Sequence, residues 1–142
     1  MIQHEESMHL NRPVDQVFAF VADNHNLRTW QSNLIESEPL ADEPLRVGSR
    51  FREVRRLGRR PTEIHAEMTV FEPNKRFATK TLSEPRVTVN YDFAAEDGGT
   101  RLTYTFVMRT GGMMRLLEPL IARSIKQQAR TDFQQLKRVL EG

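Results

Sequence analysis

An α+β fold, in which an antiparallel sheet of about six to seven strands wraps around a long C-terminal helix, is what the hydrophobic pattern of this sequence predicts. Three observations carry the prediction. Apolar residues recur with a period of two between Leu34 and Arg109, and turn-forming residues cut that region into hairpin-sized pieces. After Gly111-Gly112 the period becomes that of a helix and holds to the end. A chain of 142 residues can also bury a sizeable core as one domain, residues 1–142, without disulfides, and it contains no cysteine.

Taken in order, Ile2 to Leu10 reads as a first strand, with Ile2, Met8 and Leu10 on one face and His9 on the other. Two short helices follow. Asn11 is a capping type and Pro13 suits a first helical turn, so the stripe Val14, Val17, Phe18 and Val21 belongs to a helix ending near Asp23. Asn24 to Trp30 forms the second short helix or turn. Leu34 to Glu38 is a short strand, and Pro39, Pro44 and Gly48 mark the turns after it. Ser49 to Leu57 and Thr62 to Glu72 make a hairpin around Gly58-Arg59-Arg60-Pro61, with Ile64, Ala66, Met68 and Val70 on one face of the second strand. Pro73-Asn74 leads into Phe77 to Ser83. Beyond Pro85, Arg86 to Ala95 aligns Val87, Val89, Tyr91 and Phe93, and after Asp97-Gly98-Gly99 the last strand aligns Leu102, Tyr104, Phe106 and Met108. The closing helix carries the stripe Leu117, Leu120, Ile121, Ile125, Ala129, Phe133, Leu136 and Leu140. Pro119 predicts a kink or a separate first turn. About 28 residues of helix would run ~42 Å, enough to cross a concave sheet.

Composition excludes several classes. With 38% hydrophobic and 28% charged residues, the chain matches a globular protein and not a disordered one. Without cysteine there is no disulfide, thiolate metal site or thiol nucleophile. No segment approaches the ~18 apolar residues of a membrane span, and Met1 to Leu10, with His4, Glu5 and Glu6, does not read as a signal peptide. These features lead us to expect a soluble, cytoplasmic protein. Charge is nearly balanced, at 21 Lys+Arg against 19 Asp+Glu, but 17 of the cations are arginine and six of them fall between Arg50 and Arg60. Placement therefore matters more than the sum.

Several segments resemble one superfamily. They are Asn11-Arg12-Pro13-Val14-Asp15-Gln16-Val17-Phe18-Ala19-Phe20-Val21-Ala22-Asp23 with Trp30, Val47-Gly48-Ser49-Arg50-Phe51, Phe71-Glu72-Pro73-Asn74-Lys75-Arg76-Phe77, Gly99-Thr100-Arg101-Leu102 and Leu136-Lys137-Arg138-Val139-Leu140-Glu141. Together they are similar to the SRPBCC (START-like, helix-grip) superfamily, and in particular to its polyketide cyclase/dehydrase and lipid-transport family. The resemblance runs over nearly the full chain and rests mostly on framework residues. It implies a helix-grip fold whose cavity, between sheet and long helix, holds a small hydrophobic or amphipathic molecule. Such families include carriers and aromatic polyketide cyclases, and the fold alone does not choose between them.

The expected ligand-binding residues are Trp30, Phe51, Arg55, Met68, Tyr91, Tyr104, Phe106, Leu117, Leu120 and Ile121, with Met113-Met114 as an adaptable lining or gate. The plainer reading is that these side chains form solid core. For chemistry, Glu53, Arg55 and Tyr91 are the candidates, followed by Tyr104 and Asn90. Glu53 and Arg55 share a strand face with Phe51 and Leu57; inside a cavity Arg55 can stabilise an enolate while a carboxylate or phenol moves a proton. The plainer reading of Glu53 and Arg55 is an ion pair at the sheet's rim. No metal site is expected: His4 and His9 are five apart, on opposite faces, and no histidine stands at metal-ligand spacing with a carboxylate. No nucleophile elbow or phosphate loop is present, so no nucleotide or other cofactor is expected. Arg50, Arg52 and Arg56 share the opposite face of that strand. They read as a face paired with acids such as Glu63 and Glu67, as an attractor of an anionic head group, or, ranked last, as a nucleic-acid contact, since stacking aromatics are not interleaved with them. Nucleic acid is thus not expected as a partner. The leading expectation is a carrier whose ligand meets Arg55 with an acidic end. The alternatives are a cofactor-free cyclase or dehydratase and a ligand-free protein-interaction module. A homodimer is compatible with the sequence.

Overall fold

In the computed structural model, which describes residues 1–142, strand β1 (Ile2–Leu10) is followed by helix α1 (Val14–Ala22) and a 3₁₀ turn (Asn24–Thr29). Six more strands come next: β2 (Leu34–Pro39), β3 (Arg50–Leu57), β4 (Arg60–Glu72), β5 (Arg76–Thr81), β6 (Val87–Glu96) and β7 (Gly99–Met108). A second 3₁₀ turn (Gly112–Leu117) then leads into helix α2 (Glu118–Glu141). The strands form one antiparallel sheet in the order β1-β7-β6-β5-β4-β3-β2. Only the β1–β7 pairing joins distant parts of the chain, since every other neighbour is a hairpin partner. This is the helix-grip arrangement, a curved open sheet holding one long helix.

Local chemistry explains most boundaries, and three differ from the sequence reading. Asn11 does not cap α1. Pro13 occupies the cap position, its carbonyl receives the amides of Gln16 and Val17, and the Asn11 amide donates instead to Glu141 at 3.2 Å. The β3–β4 hairpin is tighter than expected, because Leu57 pairs with Arg60 and leaves only Gly58 and Arg59 in the turn. Gly58 takes φ +64°, a conformation that costs other residues a steric penalty. In β4, a register shift between Met68 and Val70 inserts one residue, so Phe71 replaces Val70 on the inner face and meets Phe18 at 5.7 Å.

The sequence reading also expected the terminal helix to present Leu117 and Leu120 to the interior, and the structure corrects this. Pro119 makes the 3₁₀ segment a separate turn, so α2 is 24 residues long. Leu117 precedes the helix, and Leu120 lies one residue, or about 100° of helical rotation, from the inward-facing Ile121. Leu117 is 52% and Leu120 67% exposed, and Met113 is 83% exposed. The helix buries residues only from Ala129 onward: Ala129, Asp132, Phe133 and Leu136.

The second half of α2 is also tied to the strand–helix connection before α1. Arg12 donates to the Leu140 carbonyl at 2.7 Å, Lys137 donates to the His9 carbonyl at 3.1 Å, and buried Thr100 donates to the Arg12 carbonyl at 2.8 Å. Gly99 makes this junction fit, since a Cβ there would collide with the Leu10 carbonyl and stand 2.9 Å from the His9 ring. Gly99→Ala is therefore expected to destabilise the fold by about 1–3 kcal/mol, the usual range for overpacking. Urea denaturation should show a lower midpoint while the far-ultraviolet circular dichroism of the native state is retained.

Candidate functional site

The inner face of the sheet can be read row by row from its register. Glu6 on β1 stands opposite Tyr104 on β7, Tyr104 opposite Tyr91 on β6, and Tyr91 opposite Phe77 on β5. Phe77 and Tyr91 stack with centroids 4.7 Å apart, Tyr91 meets Tyr104 at 5.3 Å, Tyr104 meets Phe133 of α2 at 5.0 Å, and Phe133 meets Trp30 at 5.5 Å. This aromatic chain crosses the interior from the sheet to both helical layers. It fills the space beneath the second half of α2. Trp30 is 3% exposed and acts as a staple against Phe133, not as a cap over a mouth.

Beside the tyrosines lies a polar group of side chains on an otherwise apolar face. Arg55 of β3 donates from Nε to Glu53 at 2.9 Å and from its two terminal nitrogens to Asn33 at 2.9 Å and Gln31 at 2.7 Å. Three of its five N–H groups are thereby committed, the guanidinium is fixed in place, and two N–H groups remain. Glu53 and Arg55 thus face inward, as one sequence reading held, and form an ion pair, as the other held. Asp132 is buried against the same region and accepts from the Ser32 amide at 3.0 Å. Burial raises its carboxyl above the ordinary range, against the opposing pull of Ser32, Gln128 and Arg55.

Tyr91 and Tyr104 differ from the rest. Neither hydroxyl has a hydrogen-bond partner in the chain, although Tyr91 is only 7% exposed. Burial pushes both phenols well up, Tyr91 also through Tyr104, while Arg55 pulls each back. At neutral pH both are protonated donors.

Ahead of the tyrosine row the interior is looser. Phe106, Val89 and Val87 point inward but are only half-buried, as are Ile121 and Ile125 on the helix. The apolar side chains of the sheet and of the first half of α2 are thus loosely packed ahead of Tyr91 and Tyr104, with Arg55 and Glu53 to the β3 side, although Ile2 and Met108 at that end of the sheet are buried.

Residues 1–141 match the model of a family described as polyketide cyclase/dehydrase and lipid transport. The chain belongs to this family. No curated protein sequence matches it. Among solved structures, a protein of Thermus thermophilus superposes with a TM-score of 0.81 at 16% identity, covering 96% of this chain and 94% of its own. A START superfamily protein from Mycobacterium smegmatis gives 0.80 at 10% identity, covering 98% and 97%. The di-domain ARO/CYC protein BexL from the BE-7585A biosynthetic pathway gives 0.77 at 16% identity, covering 99% of this chain and 47% of BexL. At such identities the structural likeness speaks to the fold alone. Family and fold together indicate hydrophobic-ligand binding or a cyclase-like role without choosing between them.

Of the residues expected to bind a ligand, Phe51, Met68 and Tyr91 are buried on the inner sheet face, and Tyr104, Phe106 and Ile121 are half-buried. Asn90 lies on the outer face, where it bonds Arg76 and Asp92. Several groups were missed. His4 and Glu6 both point inward and meet at 2.9 Å, with Arg130 of α2 at 3.6 Å from Glu6, a pairing the sequence reading did not single out. Their signal was the i, i+2 spacing on the same parity as Ile2 and Met8. Asp132 was also legible, as an acid inside the helix's apolar stripe. These groups border two solvent-open pockets of ≈ 260 Å³ each, one beside Glu6, Leu102 and Phe133 and one beside Trp30, Gln31 and Asp132.

The raised Asp132 carboxyl gives a signed pH dependence. Its folded pKa lies above the ordinary 3.8, so its stabilising contribution is complete below that value and is lost as pH rises through the folded pKa. Asp132→Asn keeps an acceptor for the Ser32 amide and removes the titration. The Tm difference between variant and parent should shift in the variant's favour as pH is raised from about 3 to about 7, and a difference flat across that range would contradict the burial argument.

Proposed function

We propose that the protein binds a small hydrophobic or amphipathic molecule in the cleft between the inner sheet face and the first half of α2. The observation that carries this reading is the pair of tyrosine hydroxyls on the cleft floor that have no partner in the chain. Both hydroxyls reach accessible space, the buried unpartnered side-chain atoms being Asn24 Nδ2 and Trp30 Nε1 instead, so each is free to donate to an acceptor that enters from outside. The half-buried apolar walls supply the non-polar contact such a ligand needs. Arg55 contributes its two uncommitted N–H groups. Because Glu53 already balances its charge, the polar end that suits this site is a carbonyl or hydroxyl oxygen and not the carboxylate expected from the sequence. A carboxylate would bring a further acidic group beside Glu53 and Asp132.

A second reading has one observation in its favour. Asp132, with its carboxyl raised, lies within electrostatic reach of protonated Tyr91 and Tyr104 and of Arg55. A carboxylate that takes a proton α to a carbonyl, with phenols and a guanidinium around the developing enolate, is the arrangement that a cofactor-free aldol cyclisation requires. Glu53 can serve as the base in the same scheme. On this reading Glu53→Gln or Asp132→Asn abolishes turnover of a poly-β-keto substrate while binding survives.

Native mass spectrometry of protein purified without added ligand, followed by denaturing extraction, should return a bound apolar mass. Displacement of a neutral hydrophobic fluorophore then reads affinity for a matched ketone, alcohol and carboxylate of equal chain length. The ketone and alcohol should bind more tightly than the carboxylate. Tyr104→Phe should weaken ketone binding about two- to tenfold, the worth of one neutral hydrogen bond. Unchanged affinity in both Tyr104→Phe and Tyr91→Phe would overturn the proposed floor.

A further inference from the structure

All seven strands are antiparallel neighbours, so three connections emerge at the same end of the sheet: the β3–β4 hairpin, the β5–β6 loop and the segment from β7 into α2. That is the end toward which the proposed cleft opens. Seven of the ten large hydrophobic side chains exposed in the whole chain stand there: Met1 before β1, Leu57 on the hairpin, Leu82 on the loop, and Met113, Leu116, Leu117 and Leu120 at the entry to α2. The last four are spaced three, four and seven residues apart, the pattern of one helical stripe, yet they face solvent at 83, 82, 52 and 67% exposure. An apolar stripe of this kind on a monomer's surface marks a contact site.

The charge at this end is equally one-sided. On the outer sheet face the arginine run is neutralised: Arg50 pairs with Glu67 at 3.7 Å, and Arg52 pairs with Glu63 and with Glu36 at 3.1 Å. Toward the tip this pairing stops. Arg56, Arg59 and Arg60 on the hairpin, and Arg109, Arg115 and Arg123 around the stripe, have no carboxylate within 4 Å and are all exposed. The nearby acids are already engaged, Glu84 with Arg86 and Glu118 with Thr110 and the Met1 amino group. The opposite end is mixed: Asp42, Glu72 and Asp97 stand there with Lys75, and Glu43 is paired with Arg46 at 3.0 Å.

From this coincidence of exposed apolar side chains, unpaired arginines and the cleft opening we infer that this end of the molecule docks on an anionic lipid bilayer surface. Met113, Leu116 and Leu120 insert at the boundary between head groups and acyl chains, and the arginines lie against lipid phosphates. The charge argues against a second copy of the chain as the occupant. A two-fold contact would set Arg115 and Arg123 against their own copies, and seven apolar side chains fall short of the roughly 20–30 residues per side of a stable interface. A nucleic acid would use the arginines but leave the leucines in water. Docking stands on the surface observations alone; the proposed ligand site adds its use, because the cleft then opens toward the bilayer.

The test is co-sedimentation of the full chain with vesicles of phosphatidylcholine alone and with about 30 mol% phosphatidylglycerol, at low salt and at about 0.15 M salt. The parent protein should bind the anionic vesicles and not the neutral ones. Arg59→Glu with Arg60→Glu should lower affinity by at least about fivefold per arginine and flatten the salt dependence. Met113→Ser with Leu116→Ser should lower it about tenfold or more at both salts, whereas Leu40→Ser with Val47→Ser at the opposite end should change nothing. Fluorophore uptake in solution, measured on the same variants, should equal the parent's, so a failed cleft and a failed docking surface give different results. Three outcomes would overturn the inference. One is no binding of the parent to anionic vesicles at low salt. Another is binding that survives the serine substitutions and depends on arginine alone. The third is a concentration-dependent dimer in sedimentation velocity that the serine substitutions abolish.

Discussion

Everything distinctive about this molecule depends on where its long helix is held. Phe133, wedged between Tyr104 and Trp30, and fully buried Leu136 fix the second half of α2 to the sheet. Burying a side chain of the size of Leu or Phe contributes about 1.5–3 kcal/mol each, far more than a surface ion pair. Hydrogen bonds from Arg12 and Lys137 to the Leu140 and His9 carbonyls lock the same half against the start of the chain. The first half has only Glu118, bonded to Thr110 and the Met1 amino group, at its very beginning. Between these attachments the helix spans the inner face with half-buried Ile121 and Ile125. The loose packing of these residues follows from that suspension, and so does the exposure of the residues leading into the helix.

The same constraint separates two uses of aromatic side chains. Beneath the anchored half, Phe18, Phe77, Phe93 and Phe133 pack edge-on, stacked or tilted and carry no polar atom, so they can close the space completely. Tyr91 and Tyr104 stand at the border, where the packing ends. Their rings belong to the core, while their hydroxyls reach accessible space and are not among the buried unpartnered polar atoms. They can therefore donate to water or to an incoming acceptor without any cost to the packing beneath them.

Much of the fold was legible because it is written in periods and punctuation. The switch from period two to helical period at Gly111-Gly112, the proline at 119 and the Asp97-Gly98-Gly99 turn each produced the element expected of it. What escaped was local geometry that shifts a face by one residue. The insertion between Met68 and Val70 has no distinctive residue type, yet it exchanges Val70 for Phe71 on the inner face. Likewise, Leu117 and Leu120 read as part of the helix's buried stripe because they are leucines, and only the late start of α2 turns them outward. The polar group around Arg55 was half visible. Arg55 and Glu53 could be placed on one face by alternation, but Gln31, Asn33 and Asp132 reach them from other elements, and that meeting depends on how far the sheet curls.

The proposed cleft's depth follows from the same register and limits what can occupy it. From Tyr104, the floor, to Met108, the last residue of β7, the strand advances four residues, or about 13 Å at ~3.3 Å per residue. The aromatic chain closes the way beyond that floor. On the proposed reading, an occupant held ahead of Tyr104 would be about as long as a medium acyl chain or a few fused rings, and an extended long-chain lipid would be too long for it. Planar rings have the further advantage of meeting the stacked Phe77–Tyr91 pair and Phe106 face or edge on, in geometries worth about 0.5–1.5 kcal/mol beyond the area they bury. On that proposed reading size and shape favour a short, flat, weakly polar molecule, and the charge balance at Glu53 and Arg55 asks the same of its polar end.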